Sequence, residues 1–293
     1  MTTVTRCPAC EAPLRAGLRP WHRRCAQCDY EGSTLEAGIN DDARHAAIDE
    51  AAREDALHDL RMANFTTLLR HIGAARPEGR RLLDVGCAHG WFLELARTQY
   101  DVLGIEPDGA VARTATQRGL PVRHGFFPDA LARDERFDII VFNDVFEHIP
   151  GAGNVLGACR THLRPEGLVV LNLPSSRGTF YRLATLLCRA GSCGPFERMW
   201  QVGLPSPHVH YFAPANLARL LARHGFELAD SGTLATLRRK GLYTRIAYAD
   251  RHGAVARRLQ FLAIATMLPA LAVLPRDIIF AIARVGAGPA SRP

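Results

Sequence analysis

Lysine is almost missing from this 293-residue chain: of its 36 basic residues only Lys240 is a lysine. That bias reflects genome composition as much as chemistry and carries no functional weight. Long apolar runs are scarce as well. Phe261–Leu274 is fourteen residues without a charge, short of the roughly 20 that a membrane-spanning helix needs, and Pro269 and Pro275 interrupt it. The N-terminus shows no apolar run followed by a small-residue cleavage site. The expectation is therefore a reducing, cytoplasmic compartment. Hydrophobic residues as a class are plentiful, at 47% against 22% charged, which excludes a disordered, collagenous or disulfide-stapled chain. The length suits one large domain, or one of about 200 residues with small appendages.

Acidic residues are scarce only in one place. Residues 1–237 hold 26 basic and 27 acidic side chains, whereas residues 238–293 hold 10 basic ones and two acidic, Asp250 and Asp277. The formal charge of +7 therefore lies wholly in the last segment. Arg257, Arg258 and Arg276 border its apolar run, as suits an amphipathic helix lying on an anionic leaflet. The competing reading is a pair of helices packed on the domain or in a homodimer interface.

Four of the eight cysteines form two pairs, Cys7-x2-Cys10 and Cys25-x2-Cys28, separated by fourteen residues. Paired knuckles at this separation match a four-thiolate zinc site, over two disulfides or a redox pair. Residues 1–35 are thus expected to be a zinc ribbon, too small to hold a core without metal. With the shell filled, His22 is expected to be solvated. Cys87, Cys159, Cys188 and Cys193 lack ligand spacing; the last two could approach one another, but all four read as ordinary thiols.

A charged helix is expected from Asp41 to Ile72, ended by Pro77-Glu78-Gly79. Short apolar runs then alternate with helical patterns: Leu82–Val85, Asp101–Ile105, Pro121–Arg123, Phe137–Phe142 and Gly167–Leu173 read as strands. This alternation predicts an α/β fold, a mainly parallel sheet with helices on both faces, whose ligands bind at the carboxyl ends of the strands. The domain reading is ribbon 1–35, catalytic body 36–240 and basic helical tail 241–293.

The first of these strands runs into Asp84-Val85-Gly86-Cys87-Ala88-His89-Gly90 and then a helix. This is not the G-x-G-x-x-G of hydride-transfer enzymes. The acid at the strand end would repel a pyrophosphate and suits a cofactor with a cationic amino group. Glu106, about twenty residues beyond the loop, ends the next strand, where a carboxylate can accept from both ribose hydroxyls.

The runs LLDVGCAHGWFLELA, GIEPD and FDIIVFNDVFEHIP together resemble a class I S-adenosylmethionine-dependent methyltransferase over about residues 65–230. The resemblance implies a Rossmann-like seven-stranded sheet and a cofactor site. In it, Asp84, Gly86, Cys87, Ala88 and Gly90 hold the methionine end, Glu106 and Pro107 the ribose, and Gly125-Phe126 the adenine, with Asn143 beside the cofactor. Ala88 departs from the family's usual Gly, and His124-Gly125-Phe126-Phe127 from the usual acidic or polar adenine contact.

A hydroxyl nucleophile also needs a base, or a metal that lowers its pKa. Asp144, Glu147 and His148 stand after the fourth strand, and their order resembles a segment of ubiquinone-biosynthesis O-methyltransferases associated with a divalent ion. His148 as general base, a magnesium-type site, and a merely helix-opening Glu-His-Ile all remain open. Pro207-His208-Val209-His210-Tyr211-Phe212 offers a second cluster, with His208 able to face substrate and His210 to pack; alternation predicts both on one side. The stretch between Pro174 and Pro205 reads as an irregular substrate cover, where Arg177 or Arg198 could meet an anion.

The leading expectation is O-methylation of a sugar, a lipid-linked glycan or a natural-product intermediate, by a cytoplasmic enzyme peripheral to the inner face of the membrane. A zinc-ribbon RNA methyltransferase is the alternative. The ribbon's five arginines and the lack of aromatics beyond Trp21 and Tyr30 disfavour nucleic acid, as does the absence of an Asn-Pro-Pro-Tyr-type motif. A non-catalytic zinc-stabilised scaffold is the third possibility.

Overall fold

The computed structural model describes residues 5–36, 50–249 and 253–286. Residues 41–49 of the expected first helix lie outside them, as do Asp250, Arg251 and Arg292 of the tail.

The N-terminal segment folds as three short strands, β1 (Leu14–Ala16), β2 (His22–Cys25) and β3 (Glu31–Ser33). Helix α1 (Glu50–Ala75) leads into β4 (Arg81–Val85), α2 (Trp91–Ala96), β5 (Asp101–Glu106), α3 (Gly109–Gln117) and β6 (Val122–His124). Then follow β7 (Phe137–Asn143), a 3-10 turn at Phe146–His148, α4 (Ala152–His162) and β8 (Leu163–Pro174). Beyond β8 come α5 (Thr179–Arg189), α6 (Gly194–Met199), β9 (His210–Tyr211), α7 (Pro214–Arg223) and β10 (Phe226–Leu234). The chain continues through α8 (Leu242–Ala249), α9 (Ala254–Ala272) and β11 (Ile278–Val285).

Seven strands form one sheet in the order β10-β11-β8-β7-β4-β5-β6. All its strands run parallel except β11, which is antiparallel to both neighbours. The strand β7 shows why the sheet is buried on both faces. Its Phe137, Ile140 and Phe142 pack with α4 and α7, and its Ile139 and Val141 with α1 and α2. The expected Rossmann-like sheet is therefore present.

Three elements differ from expectation. Residues 278–285, read as the resumed apolar content of a helical tail, instead form β11, enclosed between β8 and β10. An apolar strand buried on both sides has no period of its own, and hydropathy alone cannot separate it from a neighbouring apolar helix. The stretch after β8 is mostly helical, as α5 and α6. Helix α9 also runs through Pro269, at the cost of one internal hydrogen bond that water can replace on an exposed helix.

Nor is the ribbon a detached appendage. Its β3 pairs with β9, joining Glu31 to Tyr211 and Gly32 to His210, so that β9 completes a four-stranded sheet. Cys7, Ala9, Cys25 and Tyr30 share a core with α4, α7 and one face of the large sheet.

Candidate active site

The loop from β4 to α2 turns through two left-handed glycines, Gly86 at φ 69° and Gly90 at φ 81°. A methyl at Gly86 would come within 2.6 Å of Val145, and one at Gly90 would run into Leu120, so both positions need the missing side chain. Ala88 also stands at positive φ, 46°, a conformation that glycine adopts at less cost and alanine only under local constraint. That constraint is visible. The Ala88 N–H donates to Glu106 Oε2 at 2.8 Å, and the Asp108 N–H to Oε1 at 2.9 Å. Glu106 thereby pins the loop, and burial pushes its carboxyl up despite these two donors.

Asp84 is buried near the end of β4. Burial pushes its carboxyl up to about 8, with a smaller push from the Glu106 charge and an opposing pull from Asn143. Asn143 Nδ2 donates to Asp84 at 3.3 Å, and Asn172 Nδ2 donates to Asn143 Oδ1 at 3.4 Å. A chain of amides thus crosses the ends of β8, β7 and β4 to reach one carboxyl.

Asp84, Glu106 and Asn143 border a cavity of about 560 Å3, at the strand ends where such sheets bind ligands. Asp84, Gly86, Cys87, Ala88, Glu106, Pro107, Gly125, Phe126 and Asn143 all line it, and so do Asp144 and His148. Phe126 is half exposed there. Cys87 packs its thiol over Gly104. Gly90, Glu147 and His208 do not line the cavity: Gly90 caps α2, and the other two stand behind the wall.

His148 joins this wall to the groups behind it. A carbonyl can only accept, so His148 Nδ1 carries the hydrogen in its 3.1 Å contact with Pro207 O; in the neutral ring Nε2 keeps the lone pair. That Nε2 lies 3.9 Å from Glu147 Oε1, and the ring lies edge-on to His208 at 4.7 Å. Glu147 is fully buried; burial first, and then the Asp144 charge, push its carboxyl well above the usual range. His208 Nε2 accepts from the Gln201 amide at 2.9 Å. Glu147, His148 and His208 each offer a ligand atom within 4.8 Å of the others.

His208 and His210 do not act as one pair. His210 is buried against the ribbon, where the Tyr30 hydroxyl meets Nδ1 and Nε2 reaches Ile149 O at 3.1 Å. Burial lowers its pKa to about 4. Its ring should stay neutral down to about pH 5 in nitrogen-15 NMR titrations; protonation above pH 6 would show that the ring is solvated.

The four ribbon thiols close on one another, with Cys7 and Cys28 sulfurs 3.5 Å apart and Cys10 and Cys25 sulfurs 3.4 Å apart. A tetrahedral zinc with bonds of about 2.3 Å needs sulfur edges of about 3.8 Å, so the set fits. Both knuckles have one design: the Glu11 N–H bonds Cys7 O and the Asp29 N–H bonds Cys25 O, with positive φ at Glu11 and Asp29.

Two expectations in this region fail. His22, expected to be solvated, is 1% exposed and bonded to Glu31 at 2.8 Å, under Trp200 and Phe196 from the segment after β8. Cys188 and Cys193, read as ordinary thiols, form a disulfide between α5 and α6, because the turn joining these helices brings them together. Arg177 does not face the cavity and pairs with Asp29 of the ribbon at 2.7 Å. Arg198 does not line the cavity either.

Sequence reasoning missed Asn172, Arg61 and Gln201. Asn172 had a signal, as the lone amide within the apolar run of β8. Arg61 precedes Phe65 by one helical turn on α1, and both line the cavity. Gln201 had none, since its place depends on the fold of residues 174–213.

Residues 56–231 match the family model described as "Methyltransferase domain". A ubiquinone biosynthesis O-methyltransferase of Burkholderia pseudomallei is 25% identical over 197 residues, covering 64% of this chain and 81% of the relative. Another of that name, from Roseobacter denitrificans, is 33% identical over 154 residues, covering 47% and 62%. Among solved structures, the cyclopropane synthase MmaA2 of Mycobacterium tuberculosis aligns at a TM-score of 0.51 and 18% identity, over 74% of this chain and 83% of its own. A methyltransferase of Thermotoga maritima aligns at 0.51 and 16%, over 80% and 94%. At such identities the structures speak for the fold alone. The family match covers more than half of the chain and includes the Gly86–Gly90 loop, Glu106 and the whole cavity wall from β4 to β7. The chain belongs to the methyltransferase domain family, and it is a class I S-adenosylmethionine-dependent methyltransferase.

Proposed function

We propose that the enzyme methylates a hydroxyl oxygen of a sugar, lipid-linked glycan or natural-product acceptor, with His148 as the base. One observation carries this reading: His148 stands in the cavity wall with its Nδ1–H held by Pro207 O, so that Nε2 is the basic nitrogen of the neutral ring. The names of the O-methyltransferase relatives support the choice of oxygen.

The residues present suit the cofactor. Asp84 is a buried carboxyl whose hydrogen-bond partner among the described residues is Asn143, a setting that favours an incoming ammonium. Asp84, Gly86, Cys87, Ala88 and the Gly90-capped turn would hold the methionine end. Glu106 and Pro107 would hold the ribose, with Gly125 and the exposed Phe126 at the adenine. S-adenosylmethionine supplies a methyl group already activated on a sulfonium, so the protein's task is alignment and proton removal. His148 takes the hydroxyl proton on Nε2, with the buried Glu147 carboxyl 3.9 Å from that nitrogen. The four ribbon cysteines hold zinc in this reading.

His148→Gln should lower kcat about a hundredfold, the smaller end of general-base effects, with cofactor affinity unchanged. Tritiated cofactor and a panel of phenol and sugar acceptors would measure it; an unchanged kcat sinks the base assignment. The cluster of Glu147, His148 and His208 favours a second reading, a divalent ion that lowers the acceptor's pKa. A large rise in kcat on adding magnesium or manganese would select it.

A further inference from the structure

Between β10 and β11 the chain leaves the large sheet, forms α8 and α9, and returns. Helix α9 is long and apolar enough by composition to cross a bilayer, yet none of that stretch is buried in the protein. Val255, Leu259, Leu262 and Met267 are all more than half exposed, and an apolar surface of this extent marks an interaction.

The sheet register decides how such a helix can meet a membrane. Leu234, the last residue of β10, pairs with Ile278, the first of β11. Both ends of the excursion are thus fixed at the same end of one sheet. A single crossing would put residue 278 on the far side while its partner stayed on the near side. A return through α8 is excluded, because its eight residues span only about 12 Å. The excursion can enter a leaflet only from the side on which it leaves.

Charge and a second cavity indicate the kind of surface. Arg238 and Arg239 precede α8, Arg257 and Arg258 lie near the start of α9, and Arg276 follows its end. Arg238, Arg239 and Arg276 border a cavity of about 300 Å3 together with Phe180, Leu268 and Leu271. Asp277 is also there, and its carboxylate accepts from the Tyr181 N–H at 3.0 Å. Helix α5 begins beside this cavity, tied by Thr179 to Pro275 O, and exposes Leu183 and Leu186. Cations next to apolar side chains match phosphate headgroups above acyl chains.

We propose that the excursion between β10 and β11 is a monotopic anchor, which lays α9 along an anionic lipid leaflet with the exposed leucines of α5 beside it. The anchor does not depend on which acceptor the catalytic cavity takes.

Sedimentation of the full chain with vesicles tests this, comparing pure phosphatidylcholine with an equal mixture of phosphatidylcholine and phosphatidylglycerol. The protein should pellet with the mixed vesicles and only weakly with the neutral ones. The double variant Leu259→Asp/Leu262→Asp should lower the partition about tenfold, and Arg238→Glu/Arg239→Glu by a similar factor. Both change exposed positions, so an unchanged melting temperature should accompany the loss. No pelleting, or equal pelleting of the leucine variant, overturns the anchor. So does a native dimer that the leucine variant dissolves without any vesicle binding, because a second copy is then the occupant.

Discussion

Asp84→Asn should melt at a higher temperature than the native protein and bind S-adenosylmethionine about a thousandfold more weakly. Both effects come from one buried carboxyl. Burial pushes it up to about 8 in the folded chain, from an ordinary value of 3.8. Below 3.8 the group is neutral in folded and unfolded chains and costs nothing. As pH rises from there to about 8, the unfolded chain sheds the proton and the folded one keeps it, so stability is progressively lost. At pH 7 the difference is about 4 kcal/mol. Asparagine carries no charge to desolvate and recovers part of this, a shift of several degrees. The same substitution removes the anion that would meet the cofactor's ammonium, and loss of one partner of a buried pair typically costs about 3–5 kcal/mol. Native affinity should therefore rise with pH toward about 8, with proton release on binding, and the variant's should be flat. Calorimetry in buffers of different ionisation enthalpy reads both. A variant that melts lower, or keeps its affinity within threefold, contradicts the assignment.

Loss of the proposed ribbon zinc, by chelation or by Cys25→Ser, should reduce turnover by at least the hundredfold expected of His148→Gln, while cofactor affinity changes little. The Ser33 hydroxyl donates to His208 O at 2.8 Å, and the Ser33 N–H to Val209 O at 3.0 Å. The Val209 N–H in turn bonds Glu147 O at 2.8 Å. Zinc at the four cysteines would supply most of the folding free energy of so small a unit, about 10–16 kcal/mol in comparable sites. Without it, β3 cannot hold the segment that carries Pro207 and His208, and His148 loses the carbonyl that orients it. The Gly86–Gly90 loop is held separately by Glu106, so cofactor binding should persist. Metal content by atomic absorption, cofactor affinity and kcat measured on one sample would decide. Full turnover of a zinc-free protein would refute the brace, and loss of both properties together would mean general unfolding.

Some of this architecture could be read from residues that act locally. Cys7-x2-Cys10 and Cys25-x2-Cys28 needed only their spacing, and β4, its glycine loop and Glu106 needed only a strand, a turn and an interval. Other parts depend on partners far away in the chain. His22 looked solvated because the rings that cover it, Phe196 and Trp200, come from α6 and its end. Residues 278–285 looked like more of a tail because a strand enclosed by β8 and β10 has the hydropathy of its helical neighbour. Residues 174–205 looked irregular because α5 and α6 are short and their packing is against the ribbon. Asn172 stood out as the lone amide in the apolar run of β8, whereas the role of Gln201 appears only once the segment before β9 has packed.

The pairing of β3 with β9 also bears on how the chain is made. Tyr30 and His210 are 180 residues apart. At ribosomal speeds of about 5–20 residues per second, the ribbon emerges on the order of 10 to 40 s before its partner strand exists. During that interval its outer edge is open, a template for any passing strand. At three residues, β3 is too short to be a good one. The nascent ribbon can therefore fold and wait, and the catalytic wall closes only when residues 207–211 arrive.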